Sequence, residues 1–187
     1  MPVDRPAAER AIEAFLRAIG RDPAKDPELS GTPARVTAAY VDELCAGYDV
    51  DPAARLRECL VAGTTTIVAL RDVAVTTMCP HHLMPASGFG TVAFAPRQRL
   101  VGLGELAALL DAFAHRLTLQ EAIGEGVATT LLRELDAEWA ACRLVMSHAC
   151  VSARGERKHD AKAETVAFAG DAARRGEALA VLGGAGS

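Results

Sequence analysis

A chain of 187 residues can build one domain with its own core, or a core with a smaller helical extension. Half of its residues are hydrophobic, which excludes a disordered chain, and only 4% are aromatic, so Leu, Val and Ala must fill the interior. The net charge of −4 argues against general nucleic-acid binding, and any anionic ligand must meet a local cluster of cations. The first twenty residues, MPVDRPAAERAIEAFLRAIG, have no apolar run of signal-peptide length. No segment approaches the roughly 20 apolar residues of a membrane span, so the expectation is a cytoplasmic protein with no membrane partner. Five cysteines at irregular spacing suggest free or metal-bound thiols rather than a disulfide framework.

In chain order, residues 1–62 read as an N-terminal helical region. Ile12, Phe15, Leu16 and Ile19 have the spacing of one helix face. A second helix is expected from Thr32-Pro33 to Gly47, and a short third over 51–62. From Thr64 the pattern becomes that of strands, TTTIVALRDVAVTTM and then FGTVAFAP. Helices near 104–116 and 120–135 follow, the first presenting Leu106, Leu109, Leu110 and Phe113, the second Ile123, Val127, Leu131 and Leu135. A strand over CRLVMSHACVSA, a last strand near TVAFAG and a short Ala-rich tail of possible helical character complete the chain. The order β-β-α-α-β-β over 63–187 predicts an α+β domain, an antiparallel sheet with a helix pair on one face.

The chemistry concentrates in TTMCPHHLMPASG. Cys79 and His82 stand at i and i+3, so one tight turn places both on one side, while His81 points elsewhere. A third ligand must come from afar, and VMSHACVSARG offers Cys150, with His148 two residues before it on the same strand face. Two thiolates and one imidazole form a zinc set with a fourth position open. His81 and His148, free of the ion, are then candidates for moving protons. Cys-x-x-His alone is a weak signal, and buried cysteine is most often a small hydrophobe. Cys142 lies eight residues from Cys150, roughly 27 Å along an extended strand, and is expected in the core, as are Cys45 and Cys59.

Four blocks in order, GTPARVTAAYVDEL, TTMCPHHLMPASG, VGLGELAALLDAFAHRLTLQE and SHACVSARGERK, together resemble the GTP cyclohydrolase I family. The resemblance implies a zinc hydrolase that opens the imidazole ring of GTP, releases C8 as formate and forms 7,8-dihydroneopterin triphosphate, the entry to folate-type and biopterin-type pterins. It also implies the tunnelling fold, with subunits joined into rings, commonly pentamers stacked as a homodecamer, and active sites between subunits. On the matching positions, Cys79, His82 and Cys150 would bind Zn2+, His81 would serve proton transfer at the purine, and His148 at the ribose. Gln120 and Glu121 would read guanine, and Arg154 with Arg35 of a neighbouring subunit would hold the triphosphate, where guanidinium forks suit phosphate oxygens. Apart from the resemblance, Glu121 also reads as a first-turn acid stabilising a helix N-terminus.

Departures cluster after VGL. Where the family usually carries Ser-Lys and, three residues on, Arg, this chain has Gly104, Glu105 and Ala108. Pro80 stands where an acidic residue is common. The altered phosphate end leaves two further readings beside GTP as substrate: a related zinc hydrolase acting on a less phosphorylated guanine nucleotide or modified purine, and a non-catalytic zinc-bearing assembly subunit.

Overall fold

The computed structural model describes residues 2–62 and 66–183, so the expected strand start at Thr64 and Thr65 lies outside the described residues. The chain groups into two compact units, Met1–Ala46 and Gly47–Ser187, and residues 47–62 go with the second.

In the first unit, α1 (Arg5–Ala18) starts where Asp4 accepts from the Ala7 N–H at 2.9 Å, with Pro6 in the first turn, where no intrahelical donor is needed. Arg5 pairs with Asp42. No α1 residue is buried, and Phe15 and Ile19 are 60% and 57% exposed. The helix expected to run from Thr32 to Gly47 is shorter: α2 (Thr32–Ala38) passes into a π-helical stretch, Ala39–Leu44, closed by a bond from Cys45 N–H to Tyr40 C=O at 2.9 Å. The wider i→i+5 turn is what ends the regular helix.

The second unit opens with α3 (Pro52–Glu58), capped by Asp51, which accepts from Ala53 and Ala54. The end of the segment expected to be helical is instead extended: β1 (Val61–Ala62) pairs with β4 (Arg99–Leu100). The main sheet has the antiparallel order β2-β3-β5-β6, formed by Val68–Cys79, Met84–Ala95, Trp139–His148 and Ala163–Gly170. Between β4 and β5 run α4 (Leu103–Ala114) and α5 (Gln120–Leu135), on the expected residues.

Period-two alternation divides the sheet into two faces. Val75, Val92, Phe94, Cys142, Leu144 and Met146 pack with Leu106, Leu110, Ile123, Val127 and Leu131 of the helix pair. Ala93, Ala95, Trp139 and Ala141 point the other way and meet Ala178 and Leu182 of α7 (Arg175–Gly183). The C-terminal segment is thus a packed helix. The described residues are a mixed helix and antiparallel-sheet structure, as the pattern predicts.

Candidate metal centre

The hairpin joining β2 to β3 builds one end of the site. Cys79 pairs with Met84, and Pro80 to Leu83 form the loop, closed by Leu83 N–H donating to Cys79 C=O at 2.9 Å. Leu83 takes a left-handed φ of 50° to complete the turn. Pro80 fits because no donor is required of it, and its fixed φ suits the first inner position of a turn. Cys79 Sγ and His82 Nδ1 then lie 3.9 Å apart. The rings of His81 and His82 are nearly perpendicular, at 86°, with centroids 6.3 Å apart.

Pairing of Ala86 with His148 brings the end of β5 beside this hairpin. The strand ends at His148, short of the extended run expected to include Cys150, and the chain turns into the one-turn helix α6 (Ala149–Ser152). Ser152 Oγ donates to the His148 carbonyl at 3.2 Å, and Ala153 N–H to that of Ala149 at 2.9 Å, so helical bonds replace the ladder. Cys150 therefore leaves the strand face and turns toward the hairpin. One ligand atom from each of Cys79, His82 and Cys150 lies within 4.8 Å of the others. Zinc bonds of about 2.3 Å to sulfur and 2.05 Å to nitrogen, set tetrahedrally, separate ligand atoms by about 3.6–3.8 Å. The 3.9 Å from Cys79 to His82 is a little wider than that spacing, and the donor set is one that zinc prefers.

A cavity of about 200 Å³ opens on this cluster and is also lined by His81, Gln120, Glu121 and His148. The last two helical residues named arrive there because the α4–α5 connection is tied down. Thr118 N–H donates to Met78 C=O at 3.2 Å, Leu117 N–H to Tyr48 Oη at 3.3 Å, and Gly47 N–H to His115 C=O at 2.9 Å. Gly47 is needed for that approach, since a Cβ there would lie 2.5 Å from the Ala112 carbonyl oxygen. Glu121 is exposed in the first turn of α5. Gln120 is buried and makes contacts with Leu144, Ala163, Thr165 and His148.

Arg154 is exposed in the loop after α6 and is not among the residues lining this cavity. Arg35 lies in α2, where its guanidinium donates to Glu28 C=O at 3.3 Å and Thr32 Oγ1 at 3.1 Å. Gly104, Glu105 and Ala108 occupy the start of α4, and Glu105 is not a free carboxylate: Arg55 Nε and Nη2 donate to it at 2.6 and 3.2 Å. Arg55 was invisible as a partner in the sequence because 50 residues separate the two. Thr165, which helps to hold Gln120, carried no local signal either.

Cys142 is fully buried, and desolvation pushes its thiol up to about 12, which keeps it protonated in the core at neutral pH. That agrees with its expected packing role.

The GTP cyclohydrolase I family model matches residues 8–181. The GTP cyclohydrolase 1 of Leifsonia xyli subsp. xyli is 37% identical over 185 residues, 96% of each chain. That of Chromobacterium violaceum is 38% identical over 171 residues, covering 91% of this chain and 82% of its own, and that of Corynebacterium glutamicum strain ATCC 13032 is 35% identical, covering 97% and 94%. Among solved structures, the archaeosine synthase QueF-Like in the apo form aligns with a TM-score of 0.48 at 16% identity, covering 58% of this chain and 98% of its own. Matched from its first helix to its last and similar to these enzymes along nearly its whole length, the chain belongs to the GTP cyclohydrolase I family.

Proposed function

We propose that this chain opens the imidazole ring of GTP, releases C8 as formate and recloses the remainder as 7,8-dihydroneopterin triphosphate. The observation that carries the reading is the convergence of Cys79, His82 and Cys150 on one point beside His81, Glu121 and His148. Cys79, His82 and Cys150 hold Zn2+, which when bound supplies Lewis acidity and a water activated near neutral pH. His81 moves a proton at the purine nitrogen as the ring opens, and His148 moves one at the ribose as the sugar opens for reclosure. Glu121 accepts from guanine N1–H and the exocyclic amine, a donor pair that adenine lacks, with Gln120 beside it. Arg154 and, from the partner subunit, Arg35 hold the triphosphate through charge-assisted hydrogen bonds.

The working form is a homo-oligomer, stacked pentamers forming a decamer, in the cytoplasm. Residues 63–187 form the catalytic tunnelling-fold part, and the helical region 1–62 supplies Arg35. The positions of β2 and β6 as the outer strands of the main sheet, with β2 bridged on its outer side at Met78 by Leu117, support sheet continuation between subunits. Free thiols support a reducing compartment. Among the described residues no helix is long and apolar enough to cross a membrane. Near full-length similarity to GTP cyclohydrolases favours GTP over a less phosphorylated or modified purine, and over a non-catalytic subunit.

Formate release by the zinc-loaded protein, compared for GTP, GDP, GMP and guanosine at equal concentration, tests the reading. GTP should be turned over best, with a product that becomes fluorescent on oxidation. Turnover of GMP or guanosine without turnover of GTP would overturn it.

A further inference from the structure

Gln120 is 3% exposed, and its amide nitrogen sits 3.0 Å from the Leu144 carbonyl oxygen, 3.1 Å from that of Ala163 and 3.1 Å from Thr165 Oγ1. Its Oε1 is 2.8 Å from His148 Nε2. These contacts decide which way round the amide lies. Carbonyl oxygens only accept, so the reverse orientation would set Oε1 against two of them at hydrogen-bond distance in a buried place. The –NH2 group therefore faces β5 and β6, and Oε1 faces the imidazole. An amide oxygen has no hydrogen to give, so the hydrogen of this bond belongs to His148 Nε2.

We infer that Gln120 is a positioning residue: its amide, oriented by the Leu144 and Ala163 carbonyls, holds the His148 imidazole through its Nε2–H and so fixes the orientation of that ring beside the Cys79, His82 and Cys150 cluster. The inference rests on the reading of His148 as a proton carrier given above. Backbone carbonyls of two neighbouring strands set the arrangement, so it does not depend on a flexible side chain. Both amide hydrogens are committed to the protein, which leaves Glu121 as the main reader of the guanine donors.

Neutron diffraction from deuterium-exchanged crystals of the zinc-loaded wild-type protein reads the hydrogens directly. Deuterium should appear on His148 Nε2, directed at Gln120 Oε1, with the two amide deuteriums directed at Leu144 and Ala163. A bare Nε2, or a reversed amide, would overturn the inference. In solution, Gln120→Met should lower kcat on the order of a hundred-fold, the lower range of what a positioned acid–base group supplies. Its KM for GTP should stay within about threefold and its preference for GTP over inosine triphosphate should not change, since ground-state base binding is not what is lost. A raised KM or relaxed base preference at unchanged kcat in Gln120→Met would assign Gln120 to base reading and sink the positioning role. Should Gln120→Met not fold, the wild-type neutron map decides. Absence of formate from GTP in the wild type, with deuterium on Nε2, would reject the proposed reaction while supporting the hydrogen assignment.

Discussion

Cys150 is the residue on which the metal centre turns, because the other two ligand-type residues are only three apart and cannot enclose an ion alone. Cys150→Ala should abolish both stoichiometric zinc, measured on the purified protein by mass spectrometry of metals, and formate release; a variant that keeps its zinc would remove Cys150 from the ligand set. The positions at the start of α4 invite a second substitution. Arg55 currently neutralises Glu105 through two hydrogen bonds, an exposed pair of the kind that adds little to stability. Glu105→Lys should leave the melting temperature nearly unchanged, release Arg55, and lower KM for GTP while leaving that for guanosine as it was. Equal effects on both substrates would show that α4 does not face the triphosphate. Cys79 with His82 was legible in the sequence because a turn fixes an i,i+3 pair locally. Arg55 with Glu105 was not, since only the packing of α3 near α4 brings them together.

Elements were legible where a period ran long and obscure where one conformation handed over to another. The face of Leu106, Leu109 and Leu110 and that of Ile123, Val127 and Leu131 are buried as their spacing predicts. The sequence shows no sign of the π-helical stretch after Ala38, because Ala, Tyr, Val and Leu suit either winding. Strand β3 begins at Met84, ahead of the β-branched run, since pairing with β2 and β5 recruits Pro85, Ala86, Ser87 and Gly88, residues poor in strand propensity. Helix α7 depends on partners that composition does not reveal. Trp139, the chain's single tryptophan and fully buried, donates its indole N–H to Glu177 at 2.7 Å, and Arg174 bridges Glu177 and Glu138. Arg174, then Trp139, holds the Glu177 carboxyl below its ordinary value of 4.5. A carboxyl depressed in the folded state contributes stability that is complete above its unfolded value and is lost as pH falls through the folded one. Glu177→Ala should therefore lower the melting temperature at neutral pH, shift tryptophan emission to the red as α7 loosens, and show a shrinking difference from wild type as pH falls below the ordinary carboxyl range. A melting-temperature difference that persists unchanged into acid would exclude the ion pair as the cause.

For the molecule as a whole, several surfaces make little sense on a lone chain. Among the described residues β2 and β6 are the outer strands of the main sheet, β2 being bridged on its outer side at Met78 by Leu117, Phe89 on the sheet is 58% exposed, and α1 buries none of its residues. The proposed closed ring of identical copies would cover edges and apolar surface of this kind. The proposed sharing of a site between subunits has a direct test by mixing. Arg35→Ala and Glu121→Ala should each be nearly inactive, and co-refolded one to one they should regain about a quarter of the wild-type activity, because random assembly pairs an intact Arg35 with an intact Glu121 in that fraction of sites. No recovery in mixed oligomers would place both residues in sites made by one chain.

The division of the candidate metal centre between a hairpin loop and the far end of β5 would make a bound ion a witness to how the chain was threaded. Cys79 and His82 are brought together by one loop within a single hairpin. Cys150 joins them only after the strand before it has settled against β3 with Ala86 opposite His148. A slip of one residue in that pairing would turn every side chain of β5 to the other face and carry Cys150 out of reach. With the proposed ion in place, only molecules whose strands met in the right alignment would trap it, and the metal content of a fresh preparation should then count its correctly threaded fraction.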